Sequence, residues 1–126
     1  MKEIIQTKDA PAAIGAYSQA VKVGKHVYLS GQIPLDPKTM EVVSEDIEDQ
    51  IHQVFKNLAA VIEASGGNFS NVVKMNVYLV DLSHFPILNK IMAEYVSEPY
   101  PARAAVEVSA LPRGVKVEIE AVVILA

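Results

Sequence analysis

Between Ser44 and Gly67 the apolar residues Ile47, Ile51, Val54, Phe55, Leu58, Val61 and Ile62 recur at the period of an amphipathic helix. Ser44 or Asp46 can cap its start, and Gly66-Gly67 can end it. A second stripe, Ile87, Leu88, Ile91, Met92, Tyr95 and Val96, predicts a helix that opens at Ser83. Pro86 is tolerated in its first turn, and Pro99 and Pro101 close it. The rest of the pattern is that of strands. "KEIIQT" is a short one, and "YSQAVKVGKHVYLSGQI" reads as two joined at Gly24-Lys25. "NVVKMNVYLVDL" is apolar on both faces, with Val73, Met75, Val77 and Leu79 on one and Val72, Tyr78 and Val80 on the other. "RAAVEVSAL" and "VKVEIEAVVILA" follow, separated by Pro112-Arg113-Gly114. "DAPAAIG" and "PLDPKT" are loops.

The predicted order is β-β-β-α-β-α-β-β. With no repeat or linker, residues 1–126 form one α+β domain, a mixed sheet with two helices on one face. The other face keeps Val77, Tyr78, Val122 and Ile124. An apolar face of that size calls for a partner. A homo-oligomer whose sheets pack together is expected, with a site between subunits.

Composition narrows the classes. Hydrophobic residues make up 51% of the chain, yet no run approaches the ~18–20 residues of a membrane span. The opening "MKEIIQTKDAPAAIG" has no apolar signal core, so the cytoplasm is the expected location. Cysteine is absent, which excludes disulfides, thiolate metal sites and a cysteine nucleophile. The net charge is −4, and the 11 lysines and arginines are spread singly, which argues against a nucleic-acid partner. No glycine-rich phosphate motif signals a nucleotide cofactor.

Few residues carry chemistry. Strand alternation puts Arg103, Ala105, Glu107 and Ser109 on one face, and Lys116, Glu118, Glu120 and Val122 on one face of the last strand. A guanidinium matches a carboxylate in two bonds, but a strand-end arginine can equally be solvated or ion-paired. Paired carboxylates can yield a base near neutral pH. Alternatively, one of Glu118 and Glu120 faces solvent while the other pairs with Lys116 or Arg113. Tyr17 and Ser30 sit in polar breaks, where Gly15 and Gly31 permit close backbone approach; Gly31 within a strand suggests a bulge. Simple turn chemistry explains the same residues. His26, His52 and His84 have no metal-ligand spacing and read as surface or capping residues.

The segments "APAAIGAYSQAV", "YLSGQIPLDPKT", "VYLVDLSHF", "LNKIMAEY" and "PARAAVEVSALPRGVKVEIEA" resemble, in order and spacing, the YjgF/RidA family of imine deaminases. The resemblance covers nearly the whole chain. It implies a chorismate-mutase-like α+β fold and a homotrimer whose sheets face a central barrel, with clefts between subunits. It implies no metal or organic cofactor. It also implies hydrolysis of 2-imino acids, such as 2-iminobutanoate and 2-iminopropanoate, to 2-keto acids and ammonium. The family's carboxylate-binding arginine falls on Arg103 and its water-positioning glutamate on Glu118. Tyr17, Ser30, Gly31 and Asn89 match further substrate-binding positions, and Glu120 takes a structural role. Two departures stand out. Ala105 replaces a common cysteine but keeps the backbone carbonyl that the family uses, and Ala16 replaces a common proline before Tyr17. The family also contains small-carboxylate binders without turnover, chaperones, and ribonuclease-like translation inhibitors, which are the rival expectations.

Overall fold

The last strand shows how alternation builds this protein. Val117, Ile119, Ala121 and Val123 are buried, while Glu118, Glu120 and Val122 are half-buried on the opposite side and Ile124 is exposed. The computed structural model describes residues 1–126. In chain order the elements are β1 (Glu3–Ile5), β2 (Ala20–Val23), β3 (His26–Gln32), α1 (Ile47–Ala64), β4 (Val72–Leu79), α2 (Phe85–Tyr95), β5 (Ala102–Glu107) and β6 (Val117–Ile124). The strands form a 6-stranded sheet in the order β1-β2-β3-β6-β4-β5. Every pairing is antiparallel except β4 with β5. Parallel neighbours need a crossover, and α2 supplies it. The expected α+β sheet with two helices is therefore the observed one.

Both helices pack on the face that carries Met75, Val77, Leu79, Val117 and Ile119. α1 buries Ile51, Val54, Phe55, Leu58, Val61 and Ile62, the residues its stripe predicts. Each such side chain contributes about 1.5–3 kcal/mol when taken from water. Its cap is Asp46, whose carboxylate accepts the Asp49 N–H at 3.1 Å. Ser44 instead donates its hydroxyl to the Asp49 carboxylate. At the far end Gly66 adopts φ 99°, which ends the helix.

Several expectations need correction. β4 carries a register shift between Val72 and Lys74. This bulge sends Val72 into the core and leaves Val73 exposed, the reverse of simple alternation. Val77 belongs wholly to the core and not to the open face. The second helix does not open at Ser83. Leu82–His84 form a 3₁₀ turn capped by Asp81, and α2 begins at Phe85. β5 stops at Glu107, so Ser109 lies beyond the strand, and Lys116 lies before β6. His52 and His84 are half-buried, and His52 Nδ1 lies 2.8 Å from the Tyr95 hydroxyl. The face away from the helices shows Tyr28, Val106 and Ile124 beside the polar Lys74, Asn76, Glu118 and Glu120.

Candidate functional site

Glu118 lies on the open face of β6, opposite Tyr78 of β4. On its other side the β3–β6 ladder slips between Leu29 and Gln32, as the glycine within that strand suggested. The slip brings Gly31 under the carboxylate: a Cβ built there would stand 2.0 Å from Glu118 Oε2. Only a glycine leaves that space open. Ser30 is anchored beside it, donating its hydroxyl to the Ser18 carbonyl at 2.6 Å and its N–H to the Gln19 carbonyl at 3.0 Å. Tyr17, 54% exposed, completes the wall. Together these residues line a cleft of about 630 Å³ that also touches Ile14, Met40 and Arg113.

The two glutamates of β6 differ. Glu120 accepts the Tyr78 hydroxyl at 2.8 Å and the Asn76 amide at 3.4 Å. Glu118 has no such partner. Burial, helped by the charge of Glu120, pushes its carboxyl above the usual range. The same Glu120 contact pushes the Tyr78 phenol up. Neither glutamate pairs with Lys116 or Arg113. Lys116 reaches the Glu45 carbonyl, and Arg113 reaches Glu41 at 3.7 Å and the Met40 carbonyl at 3.2 Å.

Arg103 occupies a different place. It is in register with buried Met75, so its side chain rises on the helix side of the edge strand β5. There its guanidinium carbon sits 4.8 Å from the centre of the Phe85 ring. Its Nη1 donates to Asn89 Oδ1 at 2.8 Å and lies 3.5 Å from Met92 Sδ. No carboxylate pairs with it. Asn89, Met92, Ala93, Tyr100, Pro101 and Arg103 line a cleft of about 320 Å³. The Val108 N–H donates to the Leu79 carbonyl at 2.8 Å, which fixes which backbone groups of β5 face β4. Alternation from that bond turns the Ala105 carbonyl to the free edge of the sheet.

The structure thus brings Tyr17, Ser30, Gly31 and Glu118 together, and separately Arg103 and Asn89 at the edge that bears the Ala105 carbonyl. It does not bring the two groups together within one chain. They stand on opposite faces of the sheet with β4 between them. No cluster of three or more histidine, aspartate or glutamate side chains is arranged to hold a metal. No helix is long and apolar enough to cross a membrane.

A family model described as endoribonuclease L-PSP matches residues 7–125. The chain belongs to this family, the YjgF/RidA family. A RutC family protein of Pyrococcus horikoshii is 52% identical over 97% of this chain and 97% of its own length. A 2-iminobutanoate/2-iminopropanoate deaminase of Dermatophagoides farinae is 48% identical over 98% and 97%. The crystal structure of RidA from the Antarctic bacterium Psychrobacter superposes with a TM-score of 0.95 at 55% identity, covering 98% of this chain and 99% of that one.

Within this YjgF/RidA chain, sequence reasoning missed three residues that shape the clefts. Phe85 and Met92 flank Arg103. Their spacing with Asn89, i, i+4 and i+7, is the signal that could have found them, since it defines one stripe of a helix. Gln19 is the third. It is buried, accepts the Thr7 N–H at 2.7 Å and donates to the Thr7 and Pro11 carbonyls at 2.9 and 2.8 Å. It ties down the loop that carries Tyr17. A glutamine opening an apolar strand was the available sign.

Proposed function

We propose that this protein hydrolyses 2-imino acids, such as 2-iminobutanoate and 2-iminopropanoate, to 2-keto acids and ammonium in the cytoplasm. On this reading the site forms where two copies meet in a homotrimer. One copy supplies Arg103, Asn89 and the Ala105 carbonyl, and its neighbour supplies Glu118, Tyr17, Ser30 and Gly31. The carrying observation is the division of chemistry within one chain. An arginine without a carboxylate partner and a carboxylate without a hydrogen-bond donor lie in separate clefts. For half-buried Glu118 such a state is costly unless a partner or a ligand completes it, while Arg103 stands exposed with its donors open to an anion. The deaminase name of a relative 48% identical supports the same chemistry.

The steps follow from the groups. Arg103 forks onto the substrate carboxylate and orients it. The Ala105 carbonyl accepts the imine N–H. Glu118 takes a proton from water as the water oxygen bonds to the imine carbon. It delivers that proton to nitrogen to give the carbinolamine, then takes the proton of the new hydroxyl and passes it to the amine, so that the C–N bond breaks and ammonia leaves as the carbonyl forms. A raised carboxyl pKa brings Glu118 closer to the working pH of a general base. Positioned proton transfer of about 10²–10⁴-fold is enough for so reactive a substrate. No cofactor enters these steps.

The test is to generate 2-iminobutanoate in situ and follow its decay with and without the protein, beside an RNA-cleavage control. Accelerated decay is expected. Unchanged decay with retained 2-oxobutanoate binding leaves a carboxylate-binding module instead. RNA cleavage without imine decay overturns the proposal, although a chain of net charge −4 is poorly suited to a phosphate backbone.

A further inference from the structure

Arg103 is the residue on which the carboxylate reading rests, and it stands exposed on an edge strand. A free arginine there would lose much rotamer freedom on meeting a ligand, and that loss weakens binding. Yet three groups hold it. Phe85 lies under the guanidinium, Asn89 takes Nη1 in a hydrogen bond, and Met92 sets its sulfur against the same nitrogen. All three come from one stripe of α2, the crossover helix that delivers the chain to β5. Both sides of Nη1 are therefore occupied. Nε and Nη2 make no hydrogen bond within the chain, and together they form the in-plane edge that matches a carboxylate in two parallel bonds.

We propose that Phe85 is a positioning residue for Arg103: its ring holds the guanidinium plane while Asn89 and Met92 fill Nη1, so the Nε–Nη2 edge is presented to a substrate carboxylate. This rests on the carboxylate role given to Arg103 above. Phe85 touches no substrate. It acts by reducing the freedom that Arg103 loses on binding and by adding a cation–π contact of the kind that strengthens as water is excluded. The aromatic face matters, not the bulk. Tyrosine keeps that face, and leucine keeps apolar volume without it.

The experiment compares wild type, Phe85→Leu and Phe85→Tyr. Calorimetry with 2-oxobutanoate gives carboxylate affinity, and steady-state imine hydrolysis gives KM and kcat. Thermal melting of each variant shows that it is folded. Phe85→Leu should bind 2-oxobutanoate about tenfold more weakly and raise KM about as much, with kcat nearly unchanged, while Phe85→Tyr stays within about twofold of wild type. Wild-type affinity in Phe85→Leu overturns the proposal. So does an equal loss in Leu and Tyr variants, which marks a packing role alone. If wild type binds 2-oxobutanoate and shows this Leu–Tyr difference but hydrolyses no imine, the positioning role stands and the proposed reaction falls. If wild type binds no carboxylate, both fall.

Discussion

The Arg103 and Glu118 clefts are built by different means. Arg103 stands against a helix stripe whose three side chains hold its guanidinium. Glu118 stands over an irregularity in the backbone, a slipped ladder and a glycine, and no side chain donates to it. One charge is held in place, and the other is left free at the cost of a raised pKa. The contrast matches the two tasks in the proposed reaction. A group that binds works best when its geometry is set beforehand. A group that moves protons works best when its ionised form is not locked by hydrogen bonds.

The largest effect should come from separating the two clefts by mutation. Arg103→Lys keeps a charge but loses the fork, and Glu118→Gln loses the base, so each alone should lower kcat/KM about 10²-fold or more. Co-refolding the two inactive variants in equal amounts should restore about a quarter of wild-type activity, since half the copies carry each intact cleft and half of their neighbours carry the other. A mixture as inactive as its parents would show that the clefts do not meet across copies. A smaller, sharper effect is expected at Gly31→Ala. The new Cβ would overlap the end of the Glu118 side chain and not the backbone, so the fold should survive while Glu118 swings aside. Turnover should fall about tenfold or more while 2-oxobutanoate binding holds; unchanged turnover would detach Gly31 from the Glu118 cleft.

The smallest effect concerns pH. Folding raises the Glu118 pKa above its ordinary 4.5, so the folded state favours the protonated form. Its stabilising share is fully present below the unfolded pKa and is lost as pH rises through the folded one. Ionised Glu118 therefore weighs against the fold at neutral pH. Glu118→Gln should melt about 1–2 °C higher than wild type near pH 7.5, a modest gain because the group is half exposed. The difference should vanish below pH 4. A Glu118→Gln variant that melts lower near pH 7.5 would show that the carboxylate has a stabilising partner.

Much of this architecture was legible in the residues. Helical spacing identified both helices, and the alternation of Glu118 and Glu120 with buried valine, isoleucine and alanine oriented β6. Gly31 in a strand pattern foretold the slip that the ladder shows. What escaped was local or long-range. The bulge at Val72–Lys74 reversed the facing of two valines that look alike in sequence. The parallel placement of β5 put Arg103 on the helix side, and no spacing along the chain reveals on which face of a sheet an edge strand turns its arginine. The pairings of Arg113 with Glu41 and Lys116 with the Glu45 carbonyl depend on loops whose shape periodicity does not encode.

The placement of Arg103 and Glu118 on opposite faces has a kinetic consequence. If the site forms between copies as proposed, the turnover of each molecule depends on how many others surround it. Specific activity should be flat at high concentration and fall on dilution below the assembly constant, so that a cell making little of this protein would hold less than a proportionate share of its activity.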